Sequence, residues 1–117
     1  MVEPSNFEIT AMVYVTAENE VEAGRISEIL LEEHLISCAN IFPAVVSLYR
    51  WEGKIQKDTE AVMVLKTRQS LVEELTNRIK SLHSYSCPCI VAYSSIGGNA
   101  DYFRWVMDET KSEDEND

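Results

Sequence analysis

The chain has 117 residues, 45% of them apolar, and ten basic against twenty acidic side chains give it a net charge of −10. This length and apolar content predict a single domain that buries a core without disulfides or a structural metal. The negative charge opposes binding to phosphate backbones and to anionic lipid, so neither nucleic acid nor a membrane is expected as a partner.

The cellular location of the chain and the boundaries of its domain are predicted from the same composition. The apolar runs are too short to span a bilayer and the N-terminus lacks a basic segment followed by a long apolar one, so we predict an unprocessed cytoplasmic chain. Three cysteines, an odd number, do not make a disulfide framework and favour a reducing compartment. The domain is expected to occupy residues 1–111, and the acidic residues 112–117 are predicted to be a disordered tail.

The first strand and helix are predicted from local patterns. Apolar and polar residues alternate over residues 7–17, which is typical of a half-buried strand. Asn19, three residues before Glu22, has the spacing of a capping box, and apolar residues then recur at helical spacing over residues 23–35. A second strand follows, which Pro43 must bend or interrupt because proline has no N–H to donate.

Residues 45–67 are predicted to form a long hairpin. Alternation precedes Glu52-Gly53, and Gly53 can take the positive φ that a two-residue loop demands. The run 61–65 is apolar on both faces, although a sheet covered on one side only would be polar on the other. We therefore expect a second cover for the sheet, and the simplest one is another copy of the chain.

The remaining elements complete the fold. Ser70 and Glu73 predict the cap of a second helix ending near His83, a fourth strand is centred on residues 89–93, and Asn99 is expected to cap a last short helix. The order strand, helix, strand, strand, helix, strand, plus a C-terminal helix, predicts an α+β, ferredoxin-like split βαβ sandwich with both main helices on one face of an antiparallel sheet.

Several short motifs in this order resemble the CutA family, the divalent-cation tolerance proteins. They are YRWEGKI at residues 49–55, Glu60, Leu65-Lys66-Thr67, Cys38-Ala39, His83-x-Tyr85-x-x-Pro88 and Asp101-Tyr102-x-x-Trp105. The resemblance extends from Val13 to Trp105. It implies a homotrimer of ferredoxin-like subunits whose long hairpins wrap neighbouring subunits.

The resemblance also implies a function, a non-enzymatic part in tolerance to divalent metal ions, with copper as a ligand. Carried over, the copper ligands proposed for the family fall on Val15, Cys38, Leu82 and His83, of which only Cys38 and His83 can ligate. A non-enzymatic role agrees with the sequence, which has neither a nucleophile-elbow motif nor a phosphate-cradling glycine loop.

Cys87-Pro88-Cys89 adds two thiols of its own to this set. Soft sulfur ligands select Cu(I) or zinc, and His83 precedes them closely in sequence. The predicted metal ligands are therefore His83, Cys38, Cys87 and Cys89. The alternative interpretation is that Cys87 and Cys89 are small buried residues at the entrance of a strand.

A set of aromatic and charged residues has two interpretations. They bury area at a seam between subunits, which we favour, or they line an inter-subunit cleft that holds a small ligand. They are Tyr49, Trp51, Glu60, Lys66, Tyr85, Asp101, Tyr102 and Trp105. Two functional rivals stay open: a trimeric signalling module resembling the PII proteins, which binds small effectors, and a structural scaffold.

Overall fold

The computed structural model describes residues 8–112 and shows an α+β fold with a four-stranded antiparallel sheet. The strands are β1 (Thr10–Ala17), β2 (Cys38–Trp51), β3 (Lys54–Arg68) and β4 (Ile90–Ser94), and the helices are α1 (Glu20–Glu32), α2 (Val72–Leu82) and α3 (Ala100–Glu109). The strand order is β2-β3-β1-β4. Apart from Ser112, the predicted tail lies outside the described residues. None of the helices within residues 8–112 is long and apolar enough to cross a membrane.

The core lies between one face of the sheet and the helices α1 and α2. Alternation along β1 and β3 turns every second side chain toward these helices, as the sequence pattern predicted. The helices contribute apolar residues at three- and four-residue spacing to the same layer. Fully buried members of this layer include Val13, Val15, Met63 and Leu65 from the sheet and Ile26, Leu30, Leu75 and Ile79 from the helices.

The N-termini of the two core helices differ in how they are capped. At α1, the Asn19 side chain accepts from the N–H of Glu22 at 2.9 Å, as predicted, but the Glu22 carboxylate accepts from Glu18 rather than from Asn19. At α2, the predicted cap is wrong, because no side chain caps this helix and the Ser70 hydroxyl donates to Glu8 instead. A short 3-10 turn, Gln69–Leu71, leads into α2.

The C-terminus of α1 ends in a left-handed residue that is not glycine. His34 has a φ of 58°, its N–H donates to the carbonyl of Leu31, and the N–H of Leu35 donates to that of Leu30. This is the hydrogen-bond pattern of a Schellman motif, in which glycine is usual. The imidazole Nδ1 lies 3.2 Å from the carbonyl oxygen of Glu109, so His34 also ties α1 to the end of α3.

The hairpin of β2 and β3 is longer than the rest of the sheet. The pairing of β1 with β3 ends at Ala17 and Ala61, so residues 45–60 continue as a two-stranded extension, here called the arm. The arm reaches roughly 20 Å beyond the sheet at the rise of extended strands. Its two-residue turn has φ values of 50° at Glu52 and 76° at Gly53, which confirms the predicted reversal.

The predicted interruption at Pro43 is a β-bulge. The pairing of β2 with β3 shifts register between Phe42 and Val45, which leaves Pro43 and Ala44 opposite the single residue Ala61. Strand β2 nevertheless continues through the bulge to Trp51. The bulge therefore lies where the four-stranded sheet gives way to the arm.

The sheet face opposite α1 and α2 is covered at one end by α3. On this face, the Arg68 guanidinium donates to the carbonyl oxygens of Met107 at 2.6 Å and Thr110 at 2.9 Å. Farther from α3, Tyr14 and Tyr93 on the same face are 38% and 61% exposed. The second cover expected from the sequence is thus supplied in part by the chain's own last helix.

Candidate functional site

The four predicted metal ligands do not come together within one chain. Cys38 begins β2 opposite Lys66, whereas Cys89 directly precedes β4 at the other edge of the sheet. Three strand spacings, about 14 Å, separate these edges. Among residues 8–112, no group of three or more histidine, cysteine, aspartate or glutamate side chains is placed to hold a metal ion. Cys87 and Cys89 are separated by one residue in the sequence, and both are exposed.

Both ring nitrogens of His83 are already hydrogen-bonded. Nε2 lies 2.7 Å from the carbonyl oxygen of Thr16, and Nδ1 lies 3.0 Å from the backbone nitrogen of Tyr85. A carbonyl can only accept and an amide N–H can only donate, so these partners assign a neutral ring with its hydrogen on Nε2. His83 therefore links β1 to the loop before β4 and offers no free nitrogen to a metal.

Glu22 holds the same loop from the helix side. Its nearly buried carboxylate accepts from the backbone N–H groups of Ser84 at 2.8 Å and Glu18 at 2.9 Å. Burial alone would raise the pKa of this carboxyl, but the hydrogen bonds from Glu18 and Ser84 lower the pKa overall. From the sequence, Glu22 was predicted only as part of the helix cap, because nothing in the sequence shows that the loop folds against it.

Tyr85 and Glu60 join this loop to the base of the arm. The Tyr85 hydroxyl donates to Glu60 at 2.8 Å. Burial raises the pKa of the phenol, and the Glu60 carboxylate raises it further. Although Cys89 as a whole is exposed, desolvation raises the pKa of its thiol and the charge of Glu60 raises it further. The thiol of Cys89 is therefore protonated at neutral pH.

Lys66 lies beside a cavity between the sheet and α3. Its ammonium donates to Asn40 Oδ1 and to Cys38 Sγ, the latter at 3.6 Å. The cavity has a volume of about 190 Å³, and its lining includes Met12, Lys66, Ser95, Tyr102, Phe103 and Val106. Apolar walls and a cationic side chain meet in this cavity.

The eight residues predicted for an inter-subunit cleft fall into three places in the single chain. They are Tyr49 and Trp51 on the arm, Glu60 and Tyr85 at its base, and Lys66, Asp101, Tyr102 and Trp105 around α3. Glu60 and Lys66 share a face of β3, as predicted, but lie about 20 Å apart along it. The rings of Tyr102 and Trp105 are 5.6 Å apart, and Asp101 accepts from Arg104 on the helix surface.

The family model described as CutA1 divalent ion tolerance protein matches residues 11–109. The chain belongs to the CutA1 family. The CutA proteins of Pyrococcus horikoshii, Homo sapiens and Arabidopsis thaliana are 43%, 38% and 37% identical to it over 100, 99 and 112 residues. These alignments cover 86%, 85% and 96% of this chain. They cover 97% of the Pyrococcus protein but 55% of the human and 62% of the Arabidopsis protein.

Solved CutA1 structures have the same fold. Those from Ehrlichia chaffeensis and Oryza sativa match with TM-scores of 0.85 and 0.86 at 39% and 38% identity. The matches cover 90% and 89% of this chain and 98% and 95% of theirs, so the predicted family and the α+β sheet fold are confirmed. The Arabidopsis relative is named chloroplastic and the Archaeoglobus fulgidus structure is described as periplasmic, so a cytoplasmic location for this chain stays a prediction.

Proposed function

We propose that this CutA1-family chain acts in tolerance to divalent metal ions, without catalysing a reaction, as a homotrimer of ferredoxin-like subunits. The observation that carries the proposal is the family match over residues 11–109. Relatives from Pyrococcus horikoshii and Archaeoglobus fulgidus are named divalent-cation tolerance proteins, which supports the same role. Copper is the candidate ion, and the exposed arm is the feature that supports the assembly.

The exposed arm supports self-assembly. A lone two-stranded hairpin is at best marginally stable in water. Val46, Leu48 and Ile55 share one face of the arm and are 65%, 67% and 72% exposed. Trp51 is 56% exposed on the other face. Apolar surface of this kind marks a protein interface, and sister chains are its proposed cover, closed into a ring of three.

The environment of the thiols supports a non-enzymatic role. A cysteine nucleophile needs a lowered pKa or an adjacent base. The pKa of Cys89 is raised, and both ring nitrogens of His83, the one histidine of the predicted set, are engaged by backbone groups. These contacts suit a fixed loop better than a reaction centre.

For the metal, we propose that Cys87 and Cys89 bind Cu(I). Soft thiolates select this ion, and both residues are exposed one position apart. Titration with Cu(I) under reducing conditions, comparing the wild type with Cys87→Ser and Cys89→Ser, tests the proposal. Cys38→Ser is the matched control, since Cys38 lies at the far edge of the sheet. Weaker binding is expected only in the first two variants, and equal affinity in all four proteins would rule the pair out.

Native mass spectrometry on protein purified without chelator tests the assembly. Three times the mass of one chain is expected, and a stable single subunit at micromolar concentration would contradict the trimer.

Growth tests address tolerance itself. A host lacking its own relative is expected to survive higher copper when it produces this chain, and unchanged growth would contradict the role.

A second candidate function is binding of a small effector, as in the PII proteins. The observation that favours it is the cavity beside Lys66, which combines apolar walls with a cation. A ligand that raises the melting temperature in metal-free buffer is the expected result. This candidate does not depend on the copper site.

A further inference from the structure

The segment that carries the two exposed thiols is fastened to the rest of the chain on both sides. It comprises residues 85–89 and is here called the thiol segment. On its C-terminal side, Ile90 begins β4 and pairs with Val15 of β1. On its N-terminal side, Tyr85 is hydrogen-bonded through both its backbone and its side chain. Only residues 86–89 lie between these two fastened positions.

Tyr85 is attached to two different strands. Its N–H donates to Nδ1 of His83 at 3.0 Å, and the centroids of the two rings are 4.8 Å apart. His83 is itself hydrogen-bonded to the carbonyl of Thr16, so this contact leads to β1. The Tyr85 hydroxyl donates to the carboxylate of Glu60 on β3 at 2.8 Å. All of these contacts join groups of the same chain, so they do not depend on a sister chain.

The hydrogen bond between Tyr85 and Glu60 is suited to hold the segment firmly. Its acceptor is a carboxylate, and hydrogen bonds to charged groups are roughly twice as strong as those between neutral groups. Both side chains are half-buried, which strengthens the electrostatic attraction relative to water. The pairing of β1 with β3 ends at Ala17 and Ala61, so Tyr85 reaches β3 just beyond the end of that pairing.

A fastened segment favours binding of one ion by both thiols. Residues two positions apart have Cα atoms at most about 7 Å apart, and Pro88 between the cysteines has a fixed φ. A freely moving segment would lose backbone freedom when both thiolates bind, and this loss weakens binding. A segment that is already fixed in the folded chain does not lose that freedom a second time.

We propose that Tyr85 is a positioning residue for Cu(I): its hydroxyl, held by Glu60, fixes the thiol segment before the ion binds and so strengthens binding by Cys87 and Cys89. This inference rests on the proposed function, in which the two thiols bind Cu(I). It assigns to Tyr85 a contact with the segment and none with the ion.

Tyr85→Phe tests the inference, because phenylalanine keeps the ring and the backbone N–H and removes only the hydroxyl. Competition titration of the full chain against a Cu(I) chelator, under reducing conditions at one pH, is expected to show binding about three- to tenfold weaker than in the wild type.

Tyr49→Phe is the matched control for this substitution. The Tyr49 hydroxyl also donates to a carboxylate, that of Asp58. Tyr49 pairs with Gln56, roughly 13 Å along the strand from Glu60. Unchanged Cu(I) affinity is expected in Tyr49→Phe, and a loss equal to that of Tyr85→Phe would overturn the specific role of Tyr85.

Glu60→Ala tests whether the hydroxyl acts through this carboxylate. The substitution also removes a charge that acts on Cys89, so Tyr85→Phe is compared with its own parent in this background. No further loss of Cu(I) affinity is expected there, since the hydrogen bond is already absent. An equal effect of Tyr85→Phe in both backgrounds would overturn the role of the bond to Glu60.

A purely structural role is separated from positioning by two further measurements. Urea unfolding of metal-free Tyr85→Phe measures stability, and a residue that only stabilises the fold would not change the Cu(I) affinity of the folded protein. Amide hydrogen exchange on the metal-free wild type needs no variant. The Tyr85 amide is expected to be protected before copper is added. Fast exchange that slows only with Cu(I) would overturn the prior ordering.

The outcomes separate this inference from the function on which it rests. Unchanged Cu(I) affinity in Tyr85→Phe, with Cys87→Ser and Cys89→Ser both weakened, would overturn the role of Tyr85 and leave the copper site intact. The same affinity in the wild type and both serine variants would overturn the copper site and the positioning role together.

Discussion

Glu22 offers a direct test of how one carboxylate stabilises the loop after α2. Its pKa in the folded state is lowered, so its contribution is present above the pKa of the unfolded chain and is lost as the pH falls through the folded value. Glu22→Gln is expected to reduce the free energy of unfolding at pH 7 by about 1.5 to 3 kcal/mol, since it weakens charge-assisted hydrogen bonds. Urea unfolding at fixed protein concentration measures the difference.

The same difference is expected to shrink as the pH is lowered through the range in which the Glu22 carboxylate is protonated. Glu28→Gln is the control, because Glu28 is exposed on the same helix. A penalty for Glu22→Gln that is constant from pH 7 to acid conditions would refute the role assigned to its charge.

Gly98 is required by its neighbour Phe103. Its φ is 151°, and a Cβ atom there would lie 2.8 Å from Cζ of the Phe103 ring. Gly98→Ala is therefore expected to destabilise the fold by about 1 to 3 kcal/mol, the usual range for overpacking, and to deform the cavity that Phe103 lines. Gly97→Ala is the control, since its Cβ would meet nothing within 4 Å. Thermal unfolding of the two variants measures the difference in stability, and equal melting temperatures would contradict the predicted clash with Phe103.

The raised pKa of Cys89 predicts how copper binding changes with pH. A thiol must lose its proton to ligate, so a higher pKa means stronger competition from protons at neutral pH. Cu(I) affinity of the wild type is expected to increase as the pH rises from 6 to 9. Titrations against a Cu(I) chelator at several pH values measure the trend. A flat profile would show that Cys89 does not ligate.

The arm depends on its two-residue turn. Both turn residues have positive φ, which costs an ordinary residue about 1 to 2 kcal/mol but is tolerated by glycine and asparagine. Glu52→Asn is therefore expected to slow amide hydrogen exchange in residues 45–60, and Gly53→Ala to accelerate it. Exchange in α2, remote from the turn, serves as the internal reference. The opposite order of rates would contradict the turn assignment.

Local elements were predictable where their partners are close in sequence. The caps at Asn19 and Asn99 and the reversal at Glu52-Gly53 all involve groups within three residues. The absence of a cap by Ser70 was not predictable, because its hydroxyl donates instead to Glu8, 62 positions away in the sequence. A side chain with two possible partners takes the one that the folded chain presents, and only the tertiary structure shows which that is.

The arrangement of the candidate site residues was also only partly predictable from the sequence. The residue types were identified from the sequence, but their grouping follows from strand register. Lys66 meets Cys38 and Asn40 because β2 pairs with β3 in one particular alignment. His83 is occupied because the end of β1 presents the Thr16 carbonyl to it. A backbone acceptor leaves no sign in the sequence, so the loss of His83 as a free ligand was not foreseeable.

At the scale of the whole molecule, the arm makes assembly testable by one substitution. Leu48 is 67% exposed on the arm, and Leu48→Asp places a charge in the proposed interface. We expect dissociation to smaller species without loss of the sheet, measured by light scattering and circular dichroism. Leu31→Asp, at a 39% exposed leucine of α1, is the matched control and is expected to keep the assembly. An intact trimer in Leu48→Asp would exclude the arm from the interface.

The bulge at Pro43 makes the edge strand β2 less suited to pairing with further chains. Strand β2 is 14 residues long and lies at an edge of the sheet, and a long regular edge is a template for fibril growth. Pro43 has no amide donor, and the extra residue of the bulge breaks the even repeat of the strand. We therefore expect the irregularity between sheet and arm to make this edge a poor template for open-ended aggregation.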